Sequence, residues 1–466
     1  MIGGGSGGLS VAAAAAAFGV PVVLVERHKM GGDCLNTGCV PSKALLAAAK
    51  RAAAMRSAAP FGVTASSIDV DFGKVHDHVQ RVIAAIAPTD SAERFAGLGV
   101  RVIKGHARFK DRRTVAVGDE CEIRARRFVI ATGSTPALPP IPGLDAGPYL
   151  TNETIFSLTE RPDHLIIIGA GPIGLEMAQA FRRLGSVVTV LEAAAPLAKD
   201  DPECAAIVLD RLEREGVVVR SGVTVARVNH ASGRVAVTFE GAGGEETIEG
   251  HYLLVATGRK PTTDGLDLDA AGIKYDRAGI LVNKKLKTAN RRVYAIGDVA
   301  AVQLQFTHAA NYHAGLVIRN ALFRLPVKVN NAAVPWVTYT EPELAQTGLT
   351  EAQARERKLT IRILRWPYHD NDRAQAERET HGHIKVVATT KGKILGATIV
   401  GAQAGELIAM WTLAIAQGIN VRSLTAIVLP YPTLSEIGKR AAIDYFTPSL
   451  TSPLVRRIIA WLRIFR

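Results

Sequence analysis

Two cysteines, Cys34 and Cys39, are separated by four residues in a stretch rich in glycine and small polar residues. On an ideal helix their Cα atoms would lie roughly 8–9 Å apart, beyond the about 7 Å that a disulfide can bridge. A turn at Gly38 would bring them closer, because glycine adopts backbone conformations that other residues avoid. The spacing therefore favours a redox-active pair, with two unrelated buried cysteines as the alternative.

A helix is expected to follow the pair at once. Pro41 suits the first turn of a helix, and the Ala- and Leu-rich residues 43–51 can continue it. Cys39 would then lie at the helix N-terminus, where the helix dipole favours a thiolate.

A glycine-rich loop precedes the cysteine pair and is followed by a predicted helix at residues 9–18 and a predicted strand at 22–25. In a dinucleotide-binding unit such glycines let the backbone approach a pyrophosphate, and an acidic residue after the strand binds ribose hydroxyls. Glu26 has the position of that acid. The predicted contacts of this unit are Gly3, Gly5, Ser6, Gly8 and Glu26.

The strand that should precede this loop is reduced to Met1 and Ile2. Such a strand lies centrally in a doubly wound sheet and carries the phosphate loop at its carboxyl end. We therefore expect that apolar residues are missing before Ile2. The alternative is that the sheet tolerates the short strand.

The same unit occurs a second time. A strand, a glycine-rich loop, a helix and another strand follow one another at residues 165–191, and Glu192 comes next. Gly169 precedes Glu192 by the same number of residues as Gly3 precedes Glu26. Two dinucleotide units around a cysteine pair form a joint signal that chance rarely produces.

The composition limits the remaining classes. A chain of 466 residues with four cysteines is not a secreted disulfide scaffold, and a redox pair in the cytoplasm fits better. No signal peptide or apolar run of about 18 residues is present, so no membrane-spanning helix is expected. The net charge of +13 comes without a nucleic-acid-binding motif, so we expect anionic ligands and no nucleic acid.

The run from Gly31 to Lys43 resembles the redox-active segment of the pyridine nucleotide–disulfide oxidoreductases, which include glutathione reductase, dihydrolipoamide dehydrogenase and mercuric reductase. The resemblance extends to about Phe446 and is closest to mercuric reductase-like members. It implies a disulfide between Cys34 and Cys39 beside an FAD. Cys34 would meet the substrate and Cys39 would touch the isoalloxazine.

The resemblance also implies the FAD site in the first unit. Asp298 would hold the ribityl chain, and Lys43 and Glu176 match the family's charged pair beside the flavin. The further implied FAD contacts are Gly32, Thr132, Gly133 and Gly297.

The second unit would bind the nicotinamide nucleotide. Glu192 would accept a hydrogen bond from a ribose 2′-hydroxyl and repel a 2′-phosphate. Residues 193–196 contain no arginine to receive that phosphate, so NADH is expected rather than NADPH. The implied contacts are Gly169, Gly171, Gly174, Glu192, Gly258 and Arg259.

We therefore expect an α/β fold with two Rossmann-like dinucleotide-binding domains, for FAD and NAD(P), plus a C-terminal α+β dimerisation domain. Prolines between residues 136 and 148 predict a linker. The expected boundaries are 1–147 and 268–334 for the FAD domain, 148–267 for the NAD(P) domain, 335–448 for the dimerisation domain and 449–466 for a basic amphipathic tail.

The family's C-terminal catalytic pattern, His-Pro-Thr-x-x-Glu, begins with a tyrosine here. Tyr431 and Glu436 occupy the positions of the histidine and glutamate. Tyrosine has an ordinary pKa of about 10 and is a poor base at neutral pH, which puts reduction of lipoamide or glutathione in doubt. Mercuric reductases use tyrosine in this region, but they end in a cysteine pair, and no cysteine follows Cys204. No metal site is expected, and Cys121, Cys204, His308, His313 and His369 are interpreted as core or surface residues.

The segment from Leu454 to Arg466 has the pattern of a basic amphipathic helix. At 100° per residue its apolar side chains share one face, and Arg456, Arg457 and Arg463 lie opposite. It suits peripheral contact with the inner face of a membrane; the alternative is a helix docked on the protein's own core.

The predicted function is that of a homodimeric FAD enzyme with active sites shared across subunits. Electrons would pass from NADH through flavin to the Cys34–Cys39 disulfide, and then to a disulfide or a thiophilic metal ion. Two alternatives are a membrane-surface NADH dehydrogenase that reduces a quinone and a catalytically degenerate flavin-binding partner protein.

Overall fold

Runs of aliphatic residues form the central strands of the fold, as from Leu165 to Ile168, where every side chain is buried. Strands of this kind belong to parallel sheets that are covered on both faces. The computed structural model describes residues 1–65, 67–118, 121–231, 233–301, 303–450 and 452–464. It divides into a larger unit, Met1–Ala195 with Gly216–Asn330, and a smaller one, Pro196–Glu215 with Asn331–Arg466.

The first parallel sheet of the larger unit has Ile2 at its centre. Ile2 makes parallel bridges to Ile130 on one side and Val25 on the other, so a single residue occupies the place of the expected first strand. The expectation that further apolar residues precede it stays a prediction. The sheet order is Val293–Ala295, Phe128–Ile130, Ile2, Val22–Glu26 and Val100–Lys104.

The second sheet repeats this plan. It is four-stranded and parallel, and its central strand, His164–Ile168, carries the second glycine-rich loop at its carboxyl end. The order is Val217–Ser221, Val187–Glu192, His164–Ile168 and Tyr252–Val255. The predicted α/β class with two dinucleotide-binding units is confirmed.

The helices of the larger unit begin close to the predicted positions. The Ala-rich helix Ser6–Ala17 buries Val11, Ala12 and Ala15, and such small side chains permit close packing on a sheet. Its α-helices are Ser6–Ala17, Gly32–Asn36, Cys39–Arg56, Phe72–Ile86, Ala92–Gly97, Pro172–Arg183 and Thr307–Ala321. Short 3₁₀ turns lie at Ala59–Phe61, Ala87–Asp90, Leu144–Ala146, Ile155–Ser157 and Gly297–Val299.

The remaining strands of the larger unit form small antiparallel sheets. One of them pairs Ser134–Pro136 with Arg259–Pro261, so the predicted proline-rich linker begins inside a strand. The others are Ala107–Phe109, Thr114–Val117 and Cys121–Arg124; Thr224–Ala231, Arg234–Gly241 and Gly244–Gly250; and Tyr275–Asp276 with Gly279–Ile280.

The smaller unit is built on a five-stranded antiparallel sheet, in agreement with the expected α+β module. Its core includes the fully buried Trp411 and Tyr368. The strand order is Trp336–Thr338, Glu343–Gly348, Ile394–Gly401, His383–Thr389 and Ile361–Pro367. The helices are Pro202–Arg214, Glu351–Glu356, Asp372–Glu377, Ala404–Ala416, Val421–Thr425, Glu436–Asp444, Thr447–Leu450 and Pro453–Leu462, with a 3₁₀ turn at Tyr368–Asp370.

The buried side chain of Lys385, in the strand His383–Thr389, connects this sheet to the helix Pro202–Arg214. The Nζ of Lys385 lies 2.8 Å from Asp201 Oδ2, 2.8 Å from Glu351 Oε2 and 3.0 Å from Glu203 Oε2. Burial lowers and the three carboxylates raise the pKa of Lys385, with a net upward shift. The lysine therefore stays charged and neutralises acids that would otherwise repel one another.

Candidate active site

The chain reverses between the two cysteines, as predicted. The helix Gly32–Asn36 ends before Gly38, and the next helix begins at Cys39. The turn is held at Thr37, whose backbone N–H donates to the carbonyl of Asp33 at 2.9 Å and whose carbonyl accepts from Asn152 Nδ2 at 3.1 Å. Cys39 thus lies at a helix N-terminus, where the helix dipole favours negative charge.

Cys34 is half-buried and Cys39 is exposed, and the disulfide that the resemblance implies between them stays a prediction. A hydrogen bond between them raises the pKa of Cys34 far above its ordinary value and lowers that of Cys39 to about 6. Burial opposes the shift at Cys39, while a hydrogen bond from Thr307 and the charge of Lys43 support it. The arrangement holds one thiolate, Cys39, beside one protonated thiol.

The lysine–glutamate pair implied by the resemblance is formed. Lys43 Nζ donates to Glu176 Oε2 at 2.8 Å, and the Glu176 side chain is 6% exposed. Lys43 lies one turn after Cys39 in the helix Cys39–Arg56, so helical spacing brings its positive charge near the thiolate.

Asp33, next to Cys34, belongs to a polar network that the sequence did not reveal. Its Oδ1 accepts hydrogen bonds from Thr37 Oγ1 at 2.8 Å and from Asn152 Nδ2 at 3.0 Å. Its Oδ2 lies 3.3 Å from the guanidinium of Arg259. Asp33 is therefore held through both carboxylate oxygens, by Thr37 and Asn152 at Oδ1 and by Arg259 at Oδ2.

Arg259 links this network to Asp298. Its Nε donates to Ser134 Oγ at 2.7 Å, and Ser134 Oγ donates to Asp298 Oδ2 at 2.6 Å. Burial raises the pKa of Asp298, while Ser134 and Arg259 oppose that shift. Arg259 therefore contacts Asp33, Ser134 and Asp298, and the expected contacts of Asp298 with FAD and of Arg259 with the nicotinamide nucleotide stay predictions.

The two glycine-rich loops have matching geometry. A Cβ at Gly8 would lie 1.9 Å from the carbonyl oxygen of Gly3, and one at Gly174 the same distance from that of Gly169. Only glycine fits at either position. At Gly171 a Cβ would meet open space, which is where close approach of a phosphate is expected.

The acids at the strand ends are also equivalent. Glu26 Oε2 accepts from the backbone N–H of Gly4 at 2.6 Å, and Glu192 Oε2 from that of Ala170 at 2.7 Å. Each carboxylate binds its own glycine-rich loop through Oε2 and retains lone pairs that can accept a hydrogen bond from a ribose hydroxyl. This feature fits a dinucleotide on each unit.

The turns that carry Thr132, Gly133 and Gly258 lie at the carboxyl ends of the sheets. Thr132 Oγ1 donates to the carbonyl of Thr262 at 2.7 Å and therefore holds the turn itself. Gly133 and Gly258 have φ of +68° and +133° with open space at a Cβ, so backbone conformation requires glycine there.

The segment around Gly297, where the resemblance implies an FAD contact, is supported by His313. The Nδ1 of this buried histidine accepts from the backbone N–H of Gly297 at 3.3 Å. Burial lowers the pKa of His313 to about 4, so the ring is neutral. The backbones of Gly5 and Gly32 lie close to each other, since a Cβ at Gly32 would lie 2.7 Å from Gly5 Cα. The residues implied for FAD thus fit a bound dinucleotide beside the cysteines.

In the smaller unit, Tyr431 is 70% exposed and its hydroxyl donates to Asp372 Oδ2 at 2.7 Å. This hydrogen bond raises the pKa of Tyr431, and the charge of Glu436 adds to the effect. Glu436 is the first residue of the helix Glu436–Asp444. The tyrosine is therefore a proton donor and not a base at neutral pH.

Of the remaining cysteines, Cys204 lies beside a histidine. Cys204 is buried, its Sγ lies 3.6 Å from His383 Nε2, and burial raises its pKa. Among the residues that the structure describes, no cluster of three or more histidine, cysteine or acidic side chains could hold a metal ion. Within the same residues, no helix is long and apolar enough to cross a membrane.

Three residues of the site were not predicted from the sequence. Thr307 contacts Cys39, while Asn152 and Ser134 hold Asp33 and Asp298. Thr307 carries a weak signal, because it starts the helix that follows the 295–298 segment. The sequence gives no such signal for Asn152 and Ser134, because their partners are distant along the chain.

Comparisons with known proteins agree with this geometry. Residues 1–314 match the family model described as pyridine nucleotide-disulphide oxidoreductase, and residues 334–442 match its dimerisation domain. The mercuric reductase of Lysinibacillus sphaericus is 37% identical over 450 residues, covering 96% of this chain and 82% of that protein. The dihydrolipoyl dehydrogenase of Staphylococcus aureus is 36% identical over 450 residues, covering 95% of each.

Solved structures show the same relationship. The Cu(II) complex of RclA, an HOCl-induced flavoprotein disulfide reductase from Escherichia coli, superposes with a TM-score of 0.85 at 29% identity, covering 94% of this chain and 98% of RclA. LpdA from Mycobacterium tuberculosis gives a TM-score of 0.87 at 26% identity, covering 95% and 98%.

These matches decide between the predicted functions. They support an NAD(P)H-dependent flavoprotein disulfide oxidoreductase and give no support to the quinone-reducing or degenerate alternatives. The dimerisation domain supports a homodimer. With its paired loops, charged pair and cysteine turn, the chain belongs to the pyridine nucleotide–disulfide oxidoreductases.

Proposed function

We propose that this enzyme delivers electrons from NADH to a thiophilic metal ion that binds at Cys34 and Cys39. The observation that carries the proposal is Tyr431, which donates a hydrogen bond to Asp372 where the family's catalytic histidine is expected. Reduction of a disulfide substrate needs a group that takes up and returns a proton as each thiol leaves. A phenol with a raised pKa cannot do so readily near pH 7.

A metal ion needs no proton delivered to a leaving thiol, because the proton that it displaces from Cys34 passes to solvent. Thiolates are soft ligands that bind soft metal ions directly, and two cysteines on one turn can act together. The names of two relatives point the same way: one is a mercuric reductase and the other, RclA, was solved as a Cu(II) complex. These properties belong to those proteins and serve here as support only.

The chain's own residues have separate tasks in this proposal. Cys39, with its lowered pKa, supplies a thiolate near pH 7, and Thr307 and Lys43 stabilise its charge. Cys34 keeps its proton until the metal ion binds; the metal ion then displaces this proton to solvent, and Cys34 becomes the second sulfur ligand. Glu176 positions the Lys43 ammonium. FAD, when bound, supplies the two-electron relay between the nicotinamide and the cysteine side.

The nicotinamide nucleotide is proposed to be NADH. Glu192 would accept the ribose 2′-hydroxyl, and its charge would repel a 2′-phosphate. Two further features stay predictions: active sites shared across the homodimer, with Tyr431 and Glu436 facing the cysteines of the partner subunit, and a cytoplasmic location.

The test is a panel of acceptors under anaerobic conditions. FAD-loaded enzyme receives NADH with Hg(II), Cu(II), lipoamide or glutathione disulfide, and NADH oxidation is followed. We expect a metal ion to be reduced at least about tenfold faster than either disulfide, because the missing base is worth about 10²–10⁴-fold. Cys34→Ser is the control, which should abolish turnover of the metal. Faster turnover of lipoamide or glutathione disulfide would make the acceptor assignment wrong.

A further inference from the structure

The C-terminal helix Pro453–Leu462 exposes its apolar side chains to solvent. Leu454 is 66% and Trp461 is 58% exposed, and no residue of the helix is buried. The other exposed apolar residues of this segment are Ile458, Ile459, Leu462 and Ile464. Contiguous apolar surface of this kind usually marks a binding face.

The apolar face is flanked by positive charge alone. Arg456 and Arg457 lie within the helix and Arg463 follows it, whereas no acidic residue occurs after Asp444. Phe465 and Arg466, which the sequence pattern also assigned to this helix, lie outside the described residues. The described part alone is a basic amphipathic helix.

Two other occupants of this face are disfavoured. Docking on the protein's own core would bury the apolar side chains, and within the described residues none of this helix is buried. Pairing of the apolar face with the same helix of a second copy would leave the arginines, which lie opposite, without an anionic partner. The dimerisation-domain match also ends at residue 442, before this segment.

We propose that the helix Pro453–Leu462 binds the surface of an anionic lipid bilayer. Its length, about 15 Å at 1.5 Å per residue, is too short to cross a bilayer. It would lie in the plane of the interface, with the apolar face among the acyl chains and the arginines at lipid phosphates. Trp461 suits the headgroup boundary, where aromatic side chains of this kind are enriched.

This surface is separate from the acceptor chemistry. A peripheral membrane contact concentrates the enzyme at a negatively charged bilayer whatever the acceptor is. The proposal therefore does not depend on the metal-ion assignment, and each can fail without the other.

The experiment uses the full-length, FAD-loaded enzyme and sedimentation with two kinds of vesicle, phosphatidylcholine alone and phosphatidylcholine with phosphatidylglycerol. Wild type should bind only the anionic vesicles. Arg456→Glu/Arg457→Glu should weaken that binding about tenfold or more, since each arginine near an anionic surface contributes substantially. NADH oxidation in vesicle-free buffer should be unchanged.

A matched control carries the same charge change elsewhere. Lys274→Glu/Arg277→Glu reverses two exposed cations on the larger unit and should bind vesicles as wild type does. A second variant, Ile458→Ser/Trp461→Ser, removes apolar contact and should also release the protein from the vesicles. Added salt should weaken the wild-type binding.

Three results would overturn the proposal. Absence of wild-type binding to anionic vesicles excludes the membrane contact. Equal loss of binding in the Lys274/Arg277 control shows a general effect of net charge. A change of oligomeric state in the Ile458/Trp461 variant, measured by analytical ultracentrifugation, identifies a second copy as the occupant.

Discussion

The Sγ of Cys39 lies 3.4 Å from the hydroxyl of Thr307, a residue 268 positions further along the chain. Thr307 is the first residue of a long helix, so the same side chain marks a helix N-terminus and contacts the reactive sulfur. When Cys39 is a thiolate, the threonine hydroxyl donates to it. The contact joins two segments that have no sequence relationship to each other.

Thr307→Val should therefore raise the pKa of Cys39. In wild type the reduced enzyme should show Cys39 alkylation that rises with pH around the pKa of about 6, because the thiolate prevails above that value. Loss of one donor to a charged sulfur should move the midpoint upward by about one pH unit. Site-resolved alkylation with iodoacetamide, read by mass spectrometry, measures it. Thr307→Ser keeps the hydroxyl and should keep the midpoint; an unmoved midpoint in the valine variant would contradict the assigned role.

Glu192→Ala should reduce the preference for NADH over NADPH. The wild-type carboxylate would accept the 2′-hydroxyl and repel a 2′-phosphate, and loss of a hydrogen bond to a charged group costs about 1.5–3 kcal/mol. The ratio of kcat/KM for the two nucleotides should fall about tenfold or more. The equivalent change in the first loop, Glu26→Ala, is the control and should lower FAD retention instead. A wild-type enzyme that prefers NADPH would show the interpretation of Glu192 to be wrong.

Lys43→Met should lower both stability and turnover, because the buried Glu176 carboxylate loses its cation. Lys43 is 39% exposed, so solvent screening limits the cost to about 1–2 kcal/mol of unfolding free energy. The double variant Lys43→Met/Glu176→Leu should recover most of the melting temperature but not the turnover. Arg51→Met, on the same helix, is the control for loss of an exposed cation. Recovery of turnover in the double variant would show that the Lys43–Glu176 pair has only a structural role.

Tyr431→His should raise the reduction of lipoamide by about an order of magnitude or more. An imidazole titrates near neutral pH and can serve as the base, with Glu436 and Asp372 nearby to orient it. Tyr431→Phe removes only the hydroxyl and should reduce metal-ion turnover moderately while leaving lipoamide reduction slow. Lipoamide and metal-ion rates are measured in both variants. If wild type already reduces lipoamide fast and histidine adds nothing, the argument from the missing base fails.

Lys385→Met should destabilise the smaller unit strongly. Its side chain is 5% exposed and contacts Asp201, Glu203 and Glu351. Arg365 and Arg355 would still pair with Glu203 and Glu351, but the buried Asp201 would lose this cation. Breaking a buried ion pair costs about 3–5 kcal/mol. Thermal unfolding should show a lower Tm that recovers in part at low pH, as the acids become protonated. Lys393→Met, exposed just before the neighbouring strand Ile394–Gly401, is the control and should change the Tm little.

The sequence alone determined the features that depend on local spacing. Each glycine-rich loop and its acid lie within one strand–helix–strand unit, so their positions along the chain imply their positions in space. The same holds for the cysteine turn, where Gly38 and the helix start at Cys39 are local. The amphipathic tail is equally local, because the helical repeat assigns its faces.

Only the tertiary structure decided which distant side chains meet. Thr307 at Cys39, Asn152 at Asp33 and Asp372 at Tyr431 are separated from their partners by long stretches of chain. Arg259 is a further example: its contacts with Ser134 and Asp33 depend on the pairing of the strands Ser134–Pro136 and Arg259–Pro261. Spacing in sequence cannot specify such contacts, since they arise from the register of strands and the packing of whole elements.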